Sequence, residues 1–331
     1  MVESIDDLDR QLVHALQING RASFARIGEV LAVSDQTVAR RYRRLRSRGI
    51  VRVVAQTDQH VLKQERWMVR IHCNPDAAAS LAAALARRRD TAWISLVSGG
   101  TEINFVVQTR DTAARDTLLL EKLPHTPRVN AISAHLLVHT FFGGAGEHVG
   151  LMSVLDDGQV AALAPPAVDR RPIAWDDTDR ALYSELALDG RAEYPRLAAA
   201  AGCSESTAKR RVEAMLHSGS LIMDVDIDAA AFGLTVTAAL WMSVSPSQLS
   251  AVGAALATHR EIGFAAATTG PSNLIAAVVC RDVHDLYEYV SSRLGALPAV
   301  QRVETAPIIR SVKGPSVRAV PAPAPAAGHR A

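Results

Sequence analysis

Cysteine is the scarcest reactive residue in this chain. Cys73, Cys203 and Cys280 are the only three among 331 residues, and no two of them stand in a CxxC pair. That excludes a disulfide framework and a cysteine-based zinc site, and it leaves three small hydrophobes suited to burial. Histidine supplies no HExxH motif. His135 and His139 stand four apart in an expected strand, a spacing that core and solvent-facing histidines meet more often than metal ligands do. No apolar run reaches the roughly 18 residues that a membrane span needs. The acidic opening MVESIDDLDR lacks the apolar centre of a signal peptide, so the cytoplasm is the expected compartment and no membrane partner is expected. Ser-His-Asp groupings, glycine-rich phosphate loops and paired carboxylates are likewise absent, so the sequence predicts no enzyme, no cofactor and no metal site.

What is present is a folded chain with 48% apolar and 21% charged residues, long enough for two or more cores. Its most distinctive stretch is Ser34 to Gly49. On a helical wheel Val38, Tyr42 and Leu45 fall on one side, and Gln36, Arg40, Arg43, Arg44 and Ser47 on the other. Six arginines and no acid lie between Gln36 and Arg48. Ser34 is placed to cap this helix and Gly49 to end it. Upstream, Ile5, Leu8, Leu12 and Leu16 repeat at helical spacing, Asn19-Gly20-Arg21 breaks that helix, and Ser23 begins a short one carrying Phe24, Ile27 and Leu31. Three short helices with a tight turn before the last make a helix-turn-helix (HTH) unit. Leu8-Asp9-Arg10, Asn19-Gly20-Arg21, Ser34 to Arg41, Leu45 and Gly49-Ile50-Val51 together resemble the DNA-binding module of the Lrp/AsnC transcriptional regulators.

The chain repeats itself. Asp7, Asp9 and Arg10 recur as Asp177, Asp179 and Arg180, Gly20-Arg21 as Gly190-Arg191, and Ser34, Thr37, Arg40, Arg41 and Gly49 as Ser204, Thr207, Arg210, Arg211 and Gly219, always 170 apart. Further on the offset becomes 171, pairing Pro75 with Pro246, Gly99 with Gly270, Leu123 with Leu294 and Gly143 with Gly314. Two copies of one two-domain unit are expected.

The second part of each unit reads as βαββαβ. Strands are expected at Trp67 to Cys73, Ala92 to Val97, Ile103 to Thr109 and Val129 to Thr140, with helices from Pro75 to Arg88 and Asp111 to Leu123. That order predicts a ferredoxin-like antiparallel sheet with both helices on one face. The fold class is therefore α+β, a winged-type HTH followed by a ferredoxin-like (ACT-like, RAM) domain, the whole duplicated. The expected boundaries are 1–60 and 173–230 for the HTH domains and 61–143 and 231–314 for the ferredoxin-like domains. A linker is expected over 144–172, containing Pro165-Pro166 and an apolar segment, Val149 to Leu155, able to add a strand. The PAPAPAAGHRA ending suggests a disordered tail over 315–331.

The HTH implies double-stranded DNA as partner. Gln36, Thr37 and Arg40 are candidates for base contact, and Arg41, Arg43, Arg44, Arg46 and Arg48 for phosphate contact. Lys209, Arg210 and Arg211 are the counterparts in the second copy. Residues 1–60 carry ten Lys+Arg against seven Asp+Glu, whereas 173–232 carry six against eleven. The first HTH is therefore expected to dominate DNA affinity. By resemblance, the ferredoxin-like domains bind a small-molecule effector such as an amino acid and mediate oligomerisation. The matching loops are Gly99, Gly100, Thr101 and Glu102 in copy one and Gly270, Ser272 and Asn273 in copy two, with Lys313 a further match near the end of the second copy. A plain hairpin turn is the competing reading of both loops. A homo-oligomer and an internal pseudo-dimer are both compatible with the duplication. The rival functions are a siroheme decarboxylase-like enzyme on the same architecture, disfavoured by the lack of His, Arg or Tyr in TAWISLVSGG and IGFAAATTGP, and an effector sensor without DNA binding.

Overall fold

The computed structural model describes residues 5–58, 61–62, 64–88, 90–109, 112–143, 150–169 and 174–314. The expected tail and the two ends of the expected linker lie outside these residues. Among the described residues no helix is long and apolar enough to cross a membrane.

Local chemistry sets the helices of the first HTH. Asp6 caps α1 (Asp7–Ile18) in a reciprocal capping box with Asp9, Ser23 caps α2 (Phe24–Val30), and Ser34 caps α3 (Asp35–Ser47). Gly28 must be glycine, because a Cβ there would stand 2.7 Å from the Val33 carbonyl oxygen, and this closeness brings α2 against the turn into α3. Gly49 follows α3 with φ +71°. A strand, β1 (Val51–Thr57), completes the segment. The first ferredoxin-like domain follows as β2 (Glu65–Cys73), α4 (Pro75–Ala86), β3 (Thr91–Val97), β4 (Glu102–Thr109), α5 (Thr112–Asp116, continued by a π-helical turn Thr117–Lys122) and β5 (Val129–Phe142). The second copy repeats the order. Its elements are α7 (Asp177–Leu186), α8 (Tyr194–Ala201), α9 (Glu205–His217), β6 (Leu221–Ile227), β7 (Val236–Val244), α10 (Leu249–Ala257), β8 (Ile262–Thr268), β9 (Leu274–Cys280), α11 (Val283–Glu288, with a π-helical turn Tyr289–Leu294) and β10 (Val300–Lys313).

Between the copies the expected linker is ordered where it is described. Residues Gly150–Met152 form a 3-10 turn rather than a strand, and α6 (Asp157–Leu163) follows, capped by Asp156 in a box with Gln159. This segment packs on the first HTH: the Val154 and Leu155 amides donate to His14 Nδ1 (3.1 and 2.9 Å), and Arg26 donates to the Ala162 carbonyl.

The chain forms two compact units. One draws on the chain through Arg66 and again from His135 to Pro307; the other on Trp67–Ala134 and from Ile308 onward. In the larger unit both HTH segments share one core, with Leu12, Leu16, Ile27, Val38, Leu45 and Val53 continuous with Leu182, Leu197, Val212, Met215 and Met223. Burying so much apolar surface in a single cluster is the main source of its stability. The same unit holds a sheet in the order β10–β7–β9–β8, extended by β5 from Leu137 to Phe142 pairing with β8. Its helix-facing side buries Leu240, Met242, Val278 and Cys280 against Val252, Leu256 and Tyr289.

The smaller unit has the equivalent sheet, β5–β2–β4–β3, extended by Ile308 to Lys313 of β10 pairing with β3. Ala78 and Ala82 of α4 let the helix lie close on Val69, Ile71, Ile103 and Phe105. The last strand of each copy thus pairs with the second strand of the other copy's ferredoxin-like fold. Cys73 and Cys280 are buried as expected and Cys203 is half-buried; burial pushes the Cys280 thiol up to about 11. Lys313 is fully buried with Nζ donating to the Arg88 carbonyl at 2.6 Å, and desolvation brings its ammonium down to about 8.

Candidate nucleic-acid interface

Helix α3 begins where the Ser34 hydroxyl accepts the Thr37 amide at 3.2 Å and lies 2.9 Å from the Thr37 hydroxyl. Thr37 is thereby fixed at the helix entrance, half-exposed. Gln36 and Arg40 are exposed on the outer face, and Arg40 makes no ion pair or hydrogen bond among the described residues. Arg43 is exposed too, its Nε donating to the Ala39 carbonyl one turn back (3.2 Å).

Arg48, at the end of the helix, is exposed, whereas Arg41, Arg44 and Arg46 are placed differently from the sequence expectation. Arg41 turns to α1, its Nη1 2.7 Å from Asp6 and 2.9 Å from Asp9; Arg44 pairs with the other oxygen of Asp9. Asp9 is fully buried, so its charge requires these partners. Burial opposes ionisation of Asp6, but the hydrogen bonds from Arg41 and the Asp9 amide outweigh it and hold the carboxyl below its ordinary range. Arg46 reaches Asp189 in the second HTH at 2.7 Å. The wheel gives these side chains an angle on α3, but the carboxylates at the start of α1 and after α7 decide where they go. Arg41, Arg44 and Arg46 are braces between helices, while Gln36, Arg40, Arg43 and Arg48 are exposed.

The second copy keeps the brace and thins the face. Arg211 bonds Asp176 and Asp179 at 2.8 and 2.9 Å, the same geometry shifted by 170. Arg210 is exposed, Lys209 lies 4.0 Å from Glu213, and Glu213 stands where the first copy has Arg43.

A joint holds the two HTHs together within the chain, an internal pairing that the duplication left open without indicating which strands would make it. β1 and β6 pair antiparallel from Val51 opposite Ile227 to Thr57 opposite Leu221, so that Val54 faces its own counterpart, Asp224. A pseudo-two-fold axis passes through that pair. Around it, Arg21 donates to the Gly190 carbonyl (2.7 Å) and lies over Tyr194, while Arg191 donates to the Gly20 and Ala22 carbonyls (2.7 and 2.9 Å) and lies over Phe24. Gly20 and Gly190 are needed because a Cβ on either would come within 2.9 Å of Val53 Cγ1. The repeated Gly-Arg dipeptide was the available signal for this clamp; its purpose required knowing which strands pair.

The expected ligand loops are largely satisfied from within. Gly99 and Gly100 adopt φ +72° and +82°, and the Thr101 hydroxyl donates to the Ser98 carbonyl (2.7 Å). Glu102 is buried and already paired; Arg70 Nε and Nη2 donate to its two oxygens at 2.7 and 3.0 Å. A β-strand places Glu102 on the side of the sheet away from α4, opposite to Ile103, which explains the match to Arg70. In the second copy those positions are Asn273 and Trp241. Asn273 accepts from the Val244 amide and donates to the Val244 carbonyl, both at 2.8 Å, while Ser272 is half-buried. Gly270 has φ +104°, and a Cβ on it would fall 2.3 Å from His135 Nδ1. The smaller unit also carries a cleft of about 390 Å³ beside Leu119, Leu120 and Ile132, where Arg115 lies 5.4 Å over the Trp67 ring.

Comparison with known proteins places these features. The AsnC-type helix-turn-helix domain matches residues 5–46 and 176–216, and the Lrp/AsnC ligand binding domain matches residues 237–317. An HTH-type transcriptional regulator of Mycobacterium tuberculosis is 30% identical over 142 residues, spanning 41% of this chain and 93% of that protein. An uncharacterized HTH-type transcriptional regulator of Pyrococcus furiosus is 28% identical over 139 residues, 42% of this chain and 93% of that protein. Among solved structures, the siroheme decarboxylase NirDL superposes with a TM-score of 0.61 over 92% of both chains at 11% identity. That likeness concerns the fold, but it overturns the sequence-based exclusion of an enzyme: the same duplicated architecture, over nearly its full length, carries one.

Proposed function

Because the chain belongs to the Lrp/AsnC family of transcriptional regulators, we propose that it binds DNA sequence-specifically through the outer face of α3. Gln36 and Arg40 read base edges in the major groove, suited to adenine and guanine respectively, while Thr37 offers its methyl group and Arg43 grips phosphate. Lys209 and Arg210 act at the second half-site. The observation that carries this reading is Arg40, exposed and without an ion pair among the described residues, on a helix where Arg41, Arg44 and Arg46 are held by carboxylates. Residues 1–60 and 173–230 serve as DNA-binding segments, 61–143 and 231–314 as sensing segments, and the cytoplasm is the working compartment.

The test is fluorescence anisotropy against the duplex upstream of the chain's own gene, over a range of salt. Binding should weaken steeply as salt rises, and Arg40→Ala should weaken it by about 1–3 kcal/mol while relaxing sequence preference. Equal affinity for scrambled DNA with both proteins would reject base reading by Arg40.

An effector of amino-acid type is proposed at the loops Gly99–Glu102 and Gly270–Asn273, where Gly99 and Gly100, and Gly270 and Ser272, offer backbone amides to a carboxylate, and Thr101, whose amide already donates to the Ser98 carbonyl, shapes the first loop. The effector's ammonium group has to compete with Arg70 for Glu102. Calorimetric titration with a panel of amino acids tests this, and heat that survives Arg70→Ala and Glu102→Ala alike would place the ligand elsewhere. A second reading rests on the full-length likeness to NirDL, namely chemistry on a tetrapyrrole. Incubation with siroheme, followed by mass spectrometry for loss of carbon dioxide, tests it directly.

A further inference from the structure

The joint between the HTHs is two-fold in geometry and unequal in chemistry. The axis through Val54 and Asp224 relates α3 to α9 as the dyad of a palindrome relates its half-sites. The reciprocal Arg21 and Arg191 clamps fix that relation within one chain. The outward residues at matched positions differ. Arg40 corresponds to Arg210, both exposed; Gln36 corresponds to Ser206, both exposed; and Arg43 corresponds to Glu213, a reversal of charge. Glu213 also lies beside Lys209, drawing off one of the three cations of α9, while Arg211 is held by Asp176 and Asp179.

We infer that the DNA selected by this chain is an imperfect inverted repeat whose two halves share the base read by Arg40 and Arg210 and differ at the base facing Gln36 and Ser206, with the stronger phosphate grip on the α3 half. The inference rests on the DNA reading proposed above. Arginine pairs bidentately with the O6 and N7 of guanine, so a guanine belongs in both halves. A glutamine pairs bidentately with adenine, whereas serine bonds several bases in turn, so that position is defined in one half and degenerate in the other. A glutamate facing the phosphate backbone repels it, where an arginine would release a counterion. The half-sites lie about 10 base pairs apart, centre to centre, or a multiple of that.

The experiment is selection from a random duplex library with the full chain, followed by anisotropy on the selected duplex. The expected consensus has two inverted halves, one sharply defined and one degenerate. Glu213→Arg restores the residue type of the first copy; it should tighten binding about tenfold at low salt and steepen the salt slope by about one ion. Gln36→Ser, in a second selection, should lower the definition of the sharp half toward that of the other. A consensus with equally defined, identical halves from the wild-type chain overturns the inference, as does an affinity unchanged by Glu213→Arg. A library with no enriched sequence and no salt-dependent binding overturns the DNA reading itself, and so separates the two failures.

Discussion

At the scale of single residues, Asp224 is the most consequential side chain of the joint. It stands at the pseudo-two-fold axis opposite Val54, accepts a hydrogen bond from Gln56 Nε2, and has Asp226 two residues on along the same strand. Asp226 in turn pairs with Arg52 at 2.7 Å. Burial, with a further push from Asp226, raises the Asp224 carboxyl to about 6 against the bonds from the Val225 amide and Gln56. A carboxyl raised on folding is neutral in both states at low pH. Between about 4 and about 6 the unfolded chain ionises first, so folding takes up a proton and stability falls as pH rises. Above about 6 the loss is complete. Asp224→Asn keeps the hydrogen bond from Gln56 and removes the charge. It should stabilise the chain by about 1–2 kcal/mol near neutral pH, after allowance for partial exposure, and by little near pH 4. Urea midpoints for both proteins at the two pH values measure this; an equal gain at both would place the effect elsewhere.

At the scale of elements, the closeness of β1 and β6 to the loops after α1 and α7 sets a steric limit. In Gly20→Ala the new methyl would stand 2.9 Å from both Met223 Cβ and Val53 Cγ1, with no flexible side-chain end to give way. Overpacking of this kind costs about 1–3 kcal/mol, and thermal unfolding of Gly20→Ala and Gly190→Ala should show that loss in each. Unchanged melting temperatures would show that the joint opens more easily than its packing implies. These elements also show where sequence reading succeeds. Ser34, Val38, Tyr42, Leu45 and Gly49 locate α3 because caps and core faces are local properties, and the βαββαβ order follows from period-two and period-3.6 patterns for the same reason. Asp156 and Gln159 carried the capping signature of α6 as well, masked by the adjacent Pro165-Pro166 and small residues that suggest a linker. Long-range partners were not legible. Arg41 and Arg44 resemble free cations until Asp6 and Asp9 are known to lie beside them, and Glu102 resembles an open acid until Arg70 is found against it. The pairing of β1 with β6 depends on chain closure over some 170 residues, which no local pattern encodes.

At the scale of the molecule, each copy supplies what the other lacks. β1 finds β6, β3 finds the end of β10, and β8 finds the end of β5. Residues 1–143 expressed alone would have these edges open, together with the apolar surface of the HTH joint. That fragment should recover partners by pairing with a second copy of itself, giving a homodimer by light scattering at micromolar concentration. A stable monomer with native-like unfolding would show that the joint is dispensable. In such a homodimer Val54 would face Val54, so the acid at the axis and its pH dependence should be gone.

The ion pair between Arg46 and Asp189 has a meaning that only a fused molecule allows. The positions related to them are Leu216 and Asn19, so the bridge exists on one side of the axis and has no twin. In an assembly of identical chains every substitution arrives twice and must suit its own mirror position. Here it arrives once. Acid can therefore be set against base across the seam, and α3 and α9 are free to drift from one another without the fold having to accept the same change in both places.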